Sequence, residues 1–530
     1  MTWVPLLLLS LAAVIPLSSA IGQDDNVTLP YLLFKPNFDT YSGFLNAGKN
    51  GTDNLQMHYL LHTSRGNASA DPILVWLSGG PGCSSQGGLF EELGPFYVTK
   101  NSTLFENKYS WNRRANLLAL ESPVGVGFSY DKKQFNVTSG SDDDTAWQNY
   151  YALRDFFNRV QTQFAGRDFF ISGESYAGIY IPTLSKLIVD GINKGDFPNA
   201  NFKGILIGNG FMNVQYNQNS QILWSYYHGR VSVQDFAKLK QTCAHQTANN
   251  PVDIDYFNFT QYLKTSDQGQ DWTSDGSVCG DLIYNIVMND NYNYYQDCYP
   301  GAYDGFSKEE VAAVTESARA RRKGASTNMD IESKDYQYSN DNQNGYPCWN
   351  GMAHRKYANL PEVQEAFHIP KEWREKNLTY VGCNNQLGNN WNLQYPNTAD
   401  LFTSIITNFK GNFRILIYNG DVDTVCNFLG DAWVARDVAV SNNMRISMPQ
   451  TQWYFRNQTA GYVKRYVTAD AQKTMDVLSV KGAGHFVPND RGPQSIQMVN
   501  NFLFPTGKDG QVDYNDITNA NPTPASLPPV

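Results

Sequence analysis

The chain has 530 residues, of which 41% are hydrophobic, 17% charged and 14% aromatic. This composition excludes intrinsic disorder, and the length suits either two to four domains (roughly) or one large α/β domain with an insertion. The formal net charge is −9, with 41 Lys and Arg residues against 50 Asp and Glu residues, so nucleic acid is not expected as a partner.

Residues 1–20 are an apolar segment that ends in Ser18, Ser19 and Ala20. An apolar run before a small-x-small pattern is typical of a secretory signal peptide, here with cleavage after Ala20. The run is about 13 residues long, which is too short to span a bilayer. We therefore expect a secretory-pathway protein with no membrane association after signal removal.

Sequons and cysteines support the same route. Each Asn-x-Ser/Thr sequon is an acceptor for N-glycosylation; the eight are Asn26, Asn50, Asn67, Asn101, Asn136, Asn258, Asn377 and Asn457. In an oxidising compartment the seven cysteines are expected to form disulfides and to leave one free thiol. Their spacing contains no C-x-x-C, so neither a zinc site nor a thioredoxin-type site is indicated.

Short apolar strands alternate with helical patterns in two blocks of the chain. The first block predicts strands at 73–77, 116–121, 168–172 and 202–208, with helices at 145–165 and 176–190. The second predicts strands at 414–420 and 476–482, with helices near 428–439 and 493–503. Such alternation indicates an α/β fold, with a mostly parallel central sheet flanked by helices on both faces.

The segment between the blocks, roughly 215–350, lacks this rhythm and holds four of the seven cysteines. We interpret it as a cap subdomain, stapled by disulfides and inserted between two core parts at 21–214 and 351–505. Residues 506–530 are rich in Pro, Asn and Asp and are expected to form a loosely ordered tail.

One part of the predicted cap has two interpretations. Ser307 and Glu310 have the spacing of a helix capping box, and Gly324 can end that helix. Arg319, Arg321, Arg322 and Lys323 are then a basic last turn that complements the helix dipole. Residues 319–322 also form an R-x-R-R run that a processing protease in the secretory pathway could cleave.

Ser175 is the candidate nucleophile. It lies at a predicted strand-to-helix turn between Gly173 and Ala177, where small neighbours allow the sharp turn that exposes a nucleophilic hydroxyl. The strict G-x-S-x-G pattern is not met, because Ala177 stands where glycine is usual and Gly178 follows. The alternative is an ordinary serine in a glycine-rich loop.

A general base is expected after the nucleophile, in the chain order Ser, acid, His. His485 alone among the seven histidines lies in a glycine-rich loop directly after a late apolar strand. His58 and His62 fall in a strand-like stretch without the H-E-x-x-H pattern and are interpreted as structural. The acid is either Asp421 or Asp423, since both follow the strand at 414–420, and the residues alone do not choose between them.

Five motifs, in this order along nearly the whole chain, carry a family resemblance. They are WLSGGPGCSS (76–85), EELGPF (91–96), GESYAG (173–178), YNGDVD with CN (418–427) and GAGHFVP (482–488). The chain resembles the serine carboxypeptidases, particularly their cathepsin A-like branch. The resemblance implies an α/β-hydrolase fold and an acyl-enzyme peptidase. It also implies Asp423 as the catalytic acid, and the backbone N–H groups of Gly80 and Tyr176 as the oxyanion hole.

The resemblance further implies a site that binds the free C-terminal carboxylate of a peptide. Its members would be Trp76, Ser78, Gly79, Glu92 and Glu174. Two close carboxyl groups share protons, so one pKa rises and a protonated acid can donate to the substrate, which favours acid pH. Two positions depart from the family: Ser78 stands where most members have Asn, and Glu91 where some have an aromatic residue. Whether an apolar or a basic terminal residue is preferred stays open.

The disulfide pairs also come from the resemblance. They are Cys83–Cys383 beside the oxyanion loop, with Cys243–Cys279 and Cys298–Cys348 in the cap. Cys426 is then the free thiol near the site.

The expected partners are peptides or proteins with a free C-terminus, and a homodimer is a further expectation. No cofactor and no metal are implied, and the location is lysosomal or secreted. The alternatives are an esterase or acyltransferase on the same scaffold, or an added protective, binding role toward other lysosomal proteins.

Overall fold

The computed structural model describes residues 25–49, 52, 54–243, 259, 262–265, 272–287, 292–295, 350–376 and 378–518. Several sequence predictions fall outside these residues. They are the signal peptide, the capping box and R-x-R-R run, the pair Cys298–Cys348, and the sequons at Asn50, Asn258 and Asn377.

The strands are numbered in chain order. They are β1 (Asn26–Val27), β2 (Thr40–Asn46), β3 (Leu55–His62), β4 (Ile73–Leu77), β5 (Phe96–Val98), β6 (Leu104–Glu106), β7 (Asn116–Leu120), β8 (Tyr130–Asp131), β9 (Gly140–Ser141), β10 (Phe169–Ser175), β11 (Phe202–Gly210), β12 (Leu263–Thr265), β13 (Trp272–Ser274), β14 (Trp391–Asn392), β15 (Phe413–Gly420), β16 (Arg445–Phe455), β17 (Gln458–Val467) and β18 (Lys473–Val480).

The described residues form a twelve-stranded sheet in the order β1-β2-β3-β7-β4-β10-β11-β15-β18-β17-β16, with β8 paired to β3. The central strands from β7 to β18 are all parallel to their neighbours, as the sequence predicts. The two ends of the sheet are antiparallel. The hairpin of β16 and β17 was not predicted, because most of β16 is exposed and so lacks the apolar alternation of a half-buried strand.

The helices are α1 (Asp142–Asp155), α2 (Ala177–Lys194), α3 (Val214–Tyr227), α4 (Val233–Lys238), α5 (Val278–Val287), α6 (Asn350–Ala358), α7 (Pro361–Ala366), α8 (Lys371–Arg374), α9 (Asn385–Asn389), α10 (Ala399–Asn408), α11 (Phe428–Ser441), α12 (Val487–Asp490) and α13 (Gly492–Leu503). The helix predicted over 145–165 is α-helical only to Asp155 and continues as π-helical and 3₁₀ turns. Within the described part of the chain, no helix is both long and apolar enough to cross a membrane.

Helices bury both faces of the sheet. Val75 and Ile171 pack on one face against residues of α1, α2, α10 and α11. Trp76 and Phe170, the next residues along the same strands, pack on the other face against α6 and α13. Because alternate residues of a strand point to opposite faces, a strand covered on both sides must be apolar throughout. This explains the uninterrupted apolar runs of the sequence.

The region between β11 and β15 contributes none of its described residues to the main sheet. Helices α3 and α5 enclose a separate apolar cluster around Leu239 and Ile283, which also contains the disulfide Cys243–Cys279. Trp433 of α11 joins this cluster to the core. The boundaries of the cap at 215 and 350 stay a prediction.

The loosely ordered tail expected over 506–530 differs from the structure in its first part. Val512 and Tyr514 are buried. The Tyr514 hydroxyl donates to Asp476 Oδ2 at 2.8 Å, and Arg465 Nη2 donates to the Val512 carbonyl at 2.9 Å. Asp476 and Arg465 form a buried ion pair. Single apolar residues in a Pro- and Asp-rich segment carry no periodic signal, which is why the sequence missed this packing.

Replacing Tyr514 should test whether this segment stabilises the fold. The Tyr514→Ala change removes a buried ring and the hydrogen bond to Asp476, so we expect a loss of about 3–5 kcal/mol in the free energy of unfolding. Tyr462→Ala, at a residue 42% exposed, should cost less than about 0.5 kcal/mol. Urea denaturation measures both, and equal values would mean that the segment contributes nothing.

Candidate active site

The predicted triad lies at one edge of the sheet. Ser175 ends β10, Asp423 follows β15 and His485 follows β18. Strand β11 separates β10 from β15, and β18 is the next neighbour of β15. Because these strands are parallel, their carboxyl ends meet at a common edge, where ligands bind in open α/β sheets.

Ser175 has the backbone geometry expected of a nucleophile elbow. Its φ of 61° is in the left-handed region, which a non-glycine residue rarely adopts. Tyr176 directly follows as the N-cap of α2. A Cβ atom on Gly173 would lie 2.7 Å from Cβ of Ala177, so the turn requires small residues on both sides of the nucleophile.

His485 is held by Asp423. Its Nδ1 lies 2.7 Å from Asp423 Oδ2, and both side chains are buried. Asp421, the other candidate acid, instead accepts the Gly482 N–H at 2.6 Å through Oδ1. The described hydrogen bonds include none between Ser175 Oγ and His485, a contact that often tightens only when substrate binds.

The Asp423 carboxylate is surrounded by donors. It accepts the N–H groups of Val425 at 2.9 Å and Cys426 at 3.1 Å, and the Asn209 amide at 2.8 Å. Such donors offset part of the cost of burying a carboxylate and fix its orientation. Cys426 is itself buried and is not in a disulfide.

Asn209 is a site residue that the sequence reasoning missed. It is fully buried, has a positive φ of 40°, and its Oδ1 accepts the Gly420 N–H at 3.0 Å. Its amide therefore links the end of β15 to the acid of the triad. The available signal was a polar residue between two glycines at the carboxyl end of a predicted strand.

The loop after β4 approaches the nucleophile closely. A Cβ atom on Gly79 would lie 2.5 Å from the Tyr176 nitrogen and 2.6 Å from Ser175 Cβ, so only glycine fits. Gly80 follows with a φ of 118°, and the Cys83 N–H donates to the Gly79 carbonyl at 3.1 Å. The disulfide Cys83–Cys383 joins this loop to the second block of the core.

Glu92 and Glu174 form a pair of buried, interacting carboxyl groups beside the nucleophile. Burial raises the pKa of both, and for Glu174 the charge of Glu92 adds to the effect. Trp76 Nε1 donates to Ser78 Oγ at 3.1 Å, which leaves the Ser78 hydroxyl hydrogen free to donate. The Ser78 hydroxyl and a protonated Glu92 or Glu174 are thus possible hydrogen-bond donors beside the nucleophile.

Glu91 contacts His354, a residue of the second part of the core. His354 Nδ1 of α6 lies 2.9 Å from Glu91 Oε1, and the His354 ring stacks on Phe90. Such a pair can cancel the Glu91 charge when the imidazole is protonated.

The remaining histidine candidates lie apart from the triad. His58 and His62 are both fully buried on β3. His58 contacts Glu121 and Ser42 at 2.8 and 2.9 Å, and His62 contacts Thr40 at 3.0 Å. Across the described ranges no group of His, Cys, Asp or Glu residues has the arrangement of a metal site.

Comparisons with known proteins give a consistent result. The family model described as serine carboxypeptidase matches residues 30–505. Serine carboxypeptidase ctsa-3.1 of Caenorhabditis elegans is 46% identical over 94% of this chain and 92% of its own. The lysosomal protective protein of Mus musculus is 32% identical over 94% and 98% of the two chains. The crystal structure of Kex1Δp, a prohormone-processing carboxypeptidase of Saccharomyces cerevisiae, has a TM-score of 0.59 at 20% identity, covering 92% and 98%. That likeness confirms the α/β-hydrolase fold.

The hydrogen bond from Asn209 to Asp423 gives a first site prediction. Asn209→Ala should lower kcat about 10- to 100-fold with little change in KM, because Asp423 loses a donor that fixes its orientation. The matched control is Asn199→Ala, since Asn199 is equally buried but donates to the Arg167 carbonyl away from the site. Steady-state kinetics measure both variants. An equal fall in both would assign Asn209 to general stability.

Proposed function

The chain belongs to the serine carboxypeptidase family, and we propose that it removes C-terminal residues from peptides through an acyl-enzyme on Ser175. The observation that carries the proposal is the buried carboxyl pair beside the nucleophile. A serine hydrolase needs a triad and an oxyanion hole, but only an exopeptidase needs a nearby group that recognises a free C-terminus.

The first half of the reaction forms the acyl-enzyme. Ser175 Oγ attacks the carbonyl carbon of the last peptide bond while His485 Nε2 takes the hydroxyl proton. The N–H groups of Gly80 and Tyr176 stabilise the oxyanion. His485 then gives its proton to the leaving nitrogen, the C–N bond breaks, and the terminal amino acid departs.

The second half regenerates the enzyme. Water attacks the ester carbonyl, and His485 accepts a proton from it. The same donors stabilise the second oxyanion, and Ser175 leaves as it regains a proton from His485. Throughout, Asp423 holds the imidazole with Nε2 directed to the chemistry and stabilises the imidazolium.

Substrate recognition depends on protonated acids. Glu92 or Glu174, when protonated, donates a hydrogen bond to the terminal carboxylate, and Ser78 Oγ and the Gly79 N–H supply further donors. Because the raised pKa keeps a proton on the pair, binding should be strong at acid pH. It should weaken as rising pH removes that proton and places negative charge beside the substrate carboxylate.

An esterase or acyltransferase would use the same triad. Neither enzyme requires two buried carboxyl groups beside the far end of the leaving group, so the pair favours the peptidase. A protective, binding role toward lysosomal proteins can coexist with the activity, and its only support is the likeness to the lysosomal protective protein.

We place the protein in the lysosome or outside the cell. The sequons within the described ranges are all exposed, as glycosylation requires: Asn26, Asn67, Asn101, Asn136 and Asn457. Both locations are reached through the ER, whose oxidising lumen suits the disulfides, and an acidic compartment would suit a carboxyl pair that must hold a proton. A homodimer stays a prediction from the resemblance.

Substitutions in the triad test the mechanism. Ser175→Ala should lower kcat about 10⁶-fold and abolish labelling by an organophosphonate, because the nucleophile is gone. Ser185→Ala, at a buried serine of α2, is the matched control. Asp423→Asn should cost about 10⁴-fold by fixing the wrong tautomer. Greater damage from Asp421→Asn would mean that the acid is misassigned.

Glutamine substitutions test the carboxyl pair. In the wild type, kcat/KM for a peptide with a free C-terminus should fall as pH rises, since the pair loses its proton. Glu92→Gln and Glu174→Gln should flatten this fall, because an amide does not titrate. Glu106→Gln, at a partly exposed acid of β6 paired with Arg65, is the control. The same peptide with an amidated C-terminus should show no such difference, and an unchanged profile in both variants would remove the proposal.

A further inference from the structure

Tyr418 carries a buried hydroxyl group that the mechanism above does not use. The residue is near the carboxyl end of β15 and is only 1% exposed. Its Oη has no hydrogen-bond partner among the described residues. Burying an unpaired hydroxyl is unfavourable, so such a group in a folded protein calls for an explanation.

The register of three neighbouring strands directs this hydroxyl toward the carboxyl pair. Glu174 of β10 pairs with Gly208 of β11, and Gly208 pairs with Tyr418 of β15. Residues opposite one another on adjacent strands point to the same face. Glu174 and Tyr418 therefore share a face, separated only by a residue without a side chain.

Gly208 makes room for the phenol ring. A Cβ atom at position 208 would lie 2.5 Å from both Cζ and Oη of Tyr418. The ring must therefore lie across Gly208 of β11, the strand next to β10. This brings the Tyr418 hydroxyl toward β10, which carries Glu174. Any larger residue at position 208 would close this path.

Two tryptophan rings pack beside Tyr418. The Trp111 ring packs edge-on against Tyr418 at 6.3 Å, and Trp76 packs against Trp111 at 5.6 Å. Burial is the largest cause that raises the pKa of Tyr418, and the charges of Glu174 and Glu92 raise it further. Glu92 Oε2 also has no partner within the described structure. A donor and an acceptor are thus both unpaired in one buried region.

We infer that Tyr418 is a positioning residue of the carboxyl pair. The Tyr418 hydroxyl donates a hydrogen bond to the pair when the pair is ionised, and so limits the pH range over which the pair can bind a terminal carboxylate. This inference rests on the proposed role of Glu92 and Glu174.

The charges around the pair explain why such a donor is useful. Glu91 and Asp490 act on Glu92, and Asp423 and Glu91 act on Glu174, and all of them raise the pKa of the pair. Burial and these charges all favour protonation of the pair. A donor that stabilises the charged form lowers the pKa. Its removal should therefore extend protonation to higher pH.

The experiment is the pH profile of Tyr418→Phe. Loss of a hydrogen bond to a charged group should move the fall of kcat/KM for a free-acid peptide upward by about one pH unit. KM should carry the shift, while the profile of the amidated peptide should not move. A fall that coincides with the wild-type one, or lies at lower pH, would overturn the inference.

Two further variants separate the possible failures. Tyr357→Phe is the matched control, since Tyr357 is fully buried on the same face but donates to the Pro30 carbonyl at 3.1 Å; its profile should match the wild type. Tyr418→Phe added to Glu174→Gln should give no additional shift. If Glu174→Gln itself leaves the profile unchanged, the proposed function fails. If only Tyr418→Phe leaves it unchanged, the inference about Tyr418 fails alone.

Discussion

The burial of several acids at one edge of the sheet is the constraint on which the site depends. Asp423, Glu92, Glu174, Asp431 and Asp490 are all buried there. An isolated buried carboxylate is costly, so each must be neutralised or supplied with donors. The structure uses both solutions, and the choice made for each acid decides what that acid can do.

Asp423 is supplied with three hydrogen-bond donors, whereas burial raises the pKa of its neighbours Asp431 and Asp490. Asp431 accepts the Gly210 N–H and the Asn419 amide, and burial raises its pKa to about 8. Asp490 accepts the Gly484 N–H and the Asn293 amide, and burial raises its pKa to about 6. A neutral neighbour does not compete with Asp423 for His485, which suits the role proposed for Asp423.

The sequence predicted much of this arrangement because it depends on local signals. The apolar strands, the Gly-flanked Ser175 and the loop histidine His485 follow from periodicity and turn chemistry, and the resemblance added Asp423. Contacts between distant segments left no such signal: Asn209 reaches Asp423 across 214 positions. The path from Tyr418 to Glu174 exists only through the register of three strands. Tyr514 was missed for the same reason, since it lies outside any strand or helix and its partner Asp476 is 38 positions away on β18.

In the proposed function, the carboxyl pair also resolves a conflict between binding and chemistry. Recognition of the substrate carboxylate requires protonated acids, whereas a general base requires a neutral imidazole. An ordinary carboxyl group is protonated only below about pH 4, and an ordinary imidazole is neutral only above about pH 6.5. With unshifted groups, no pH would satisfy both requirements. Burial of Glu92 and Glu174 raises the pH below which these carboxyl groups stay protonated, so one enzyme can hold a protonated acid and a neutral base together. Under this proposal, burial of the pair is therefore as necessary to the reaction as the groups that touch the substrate.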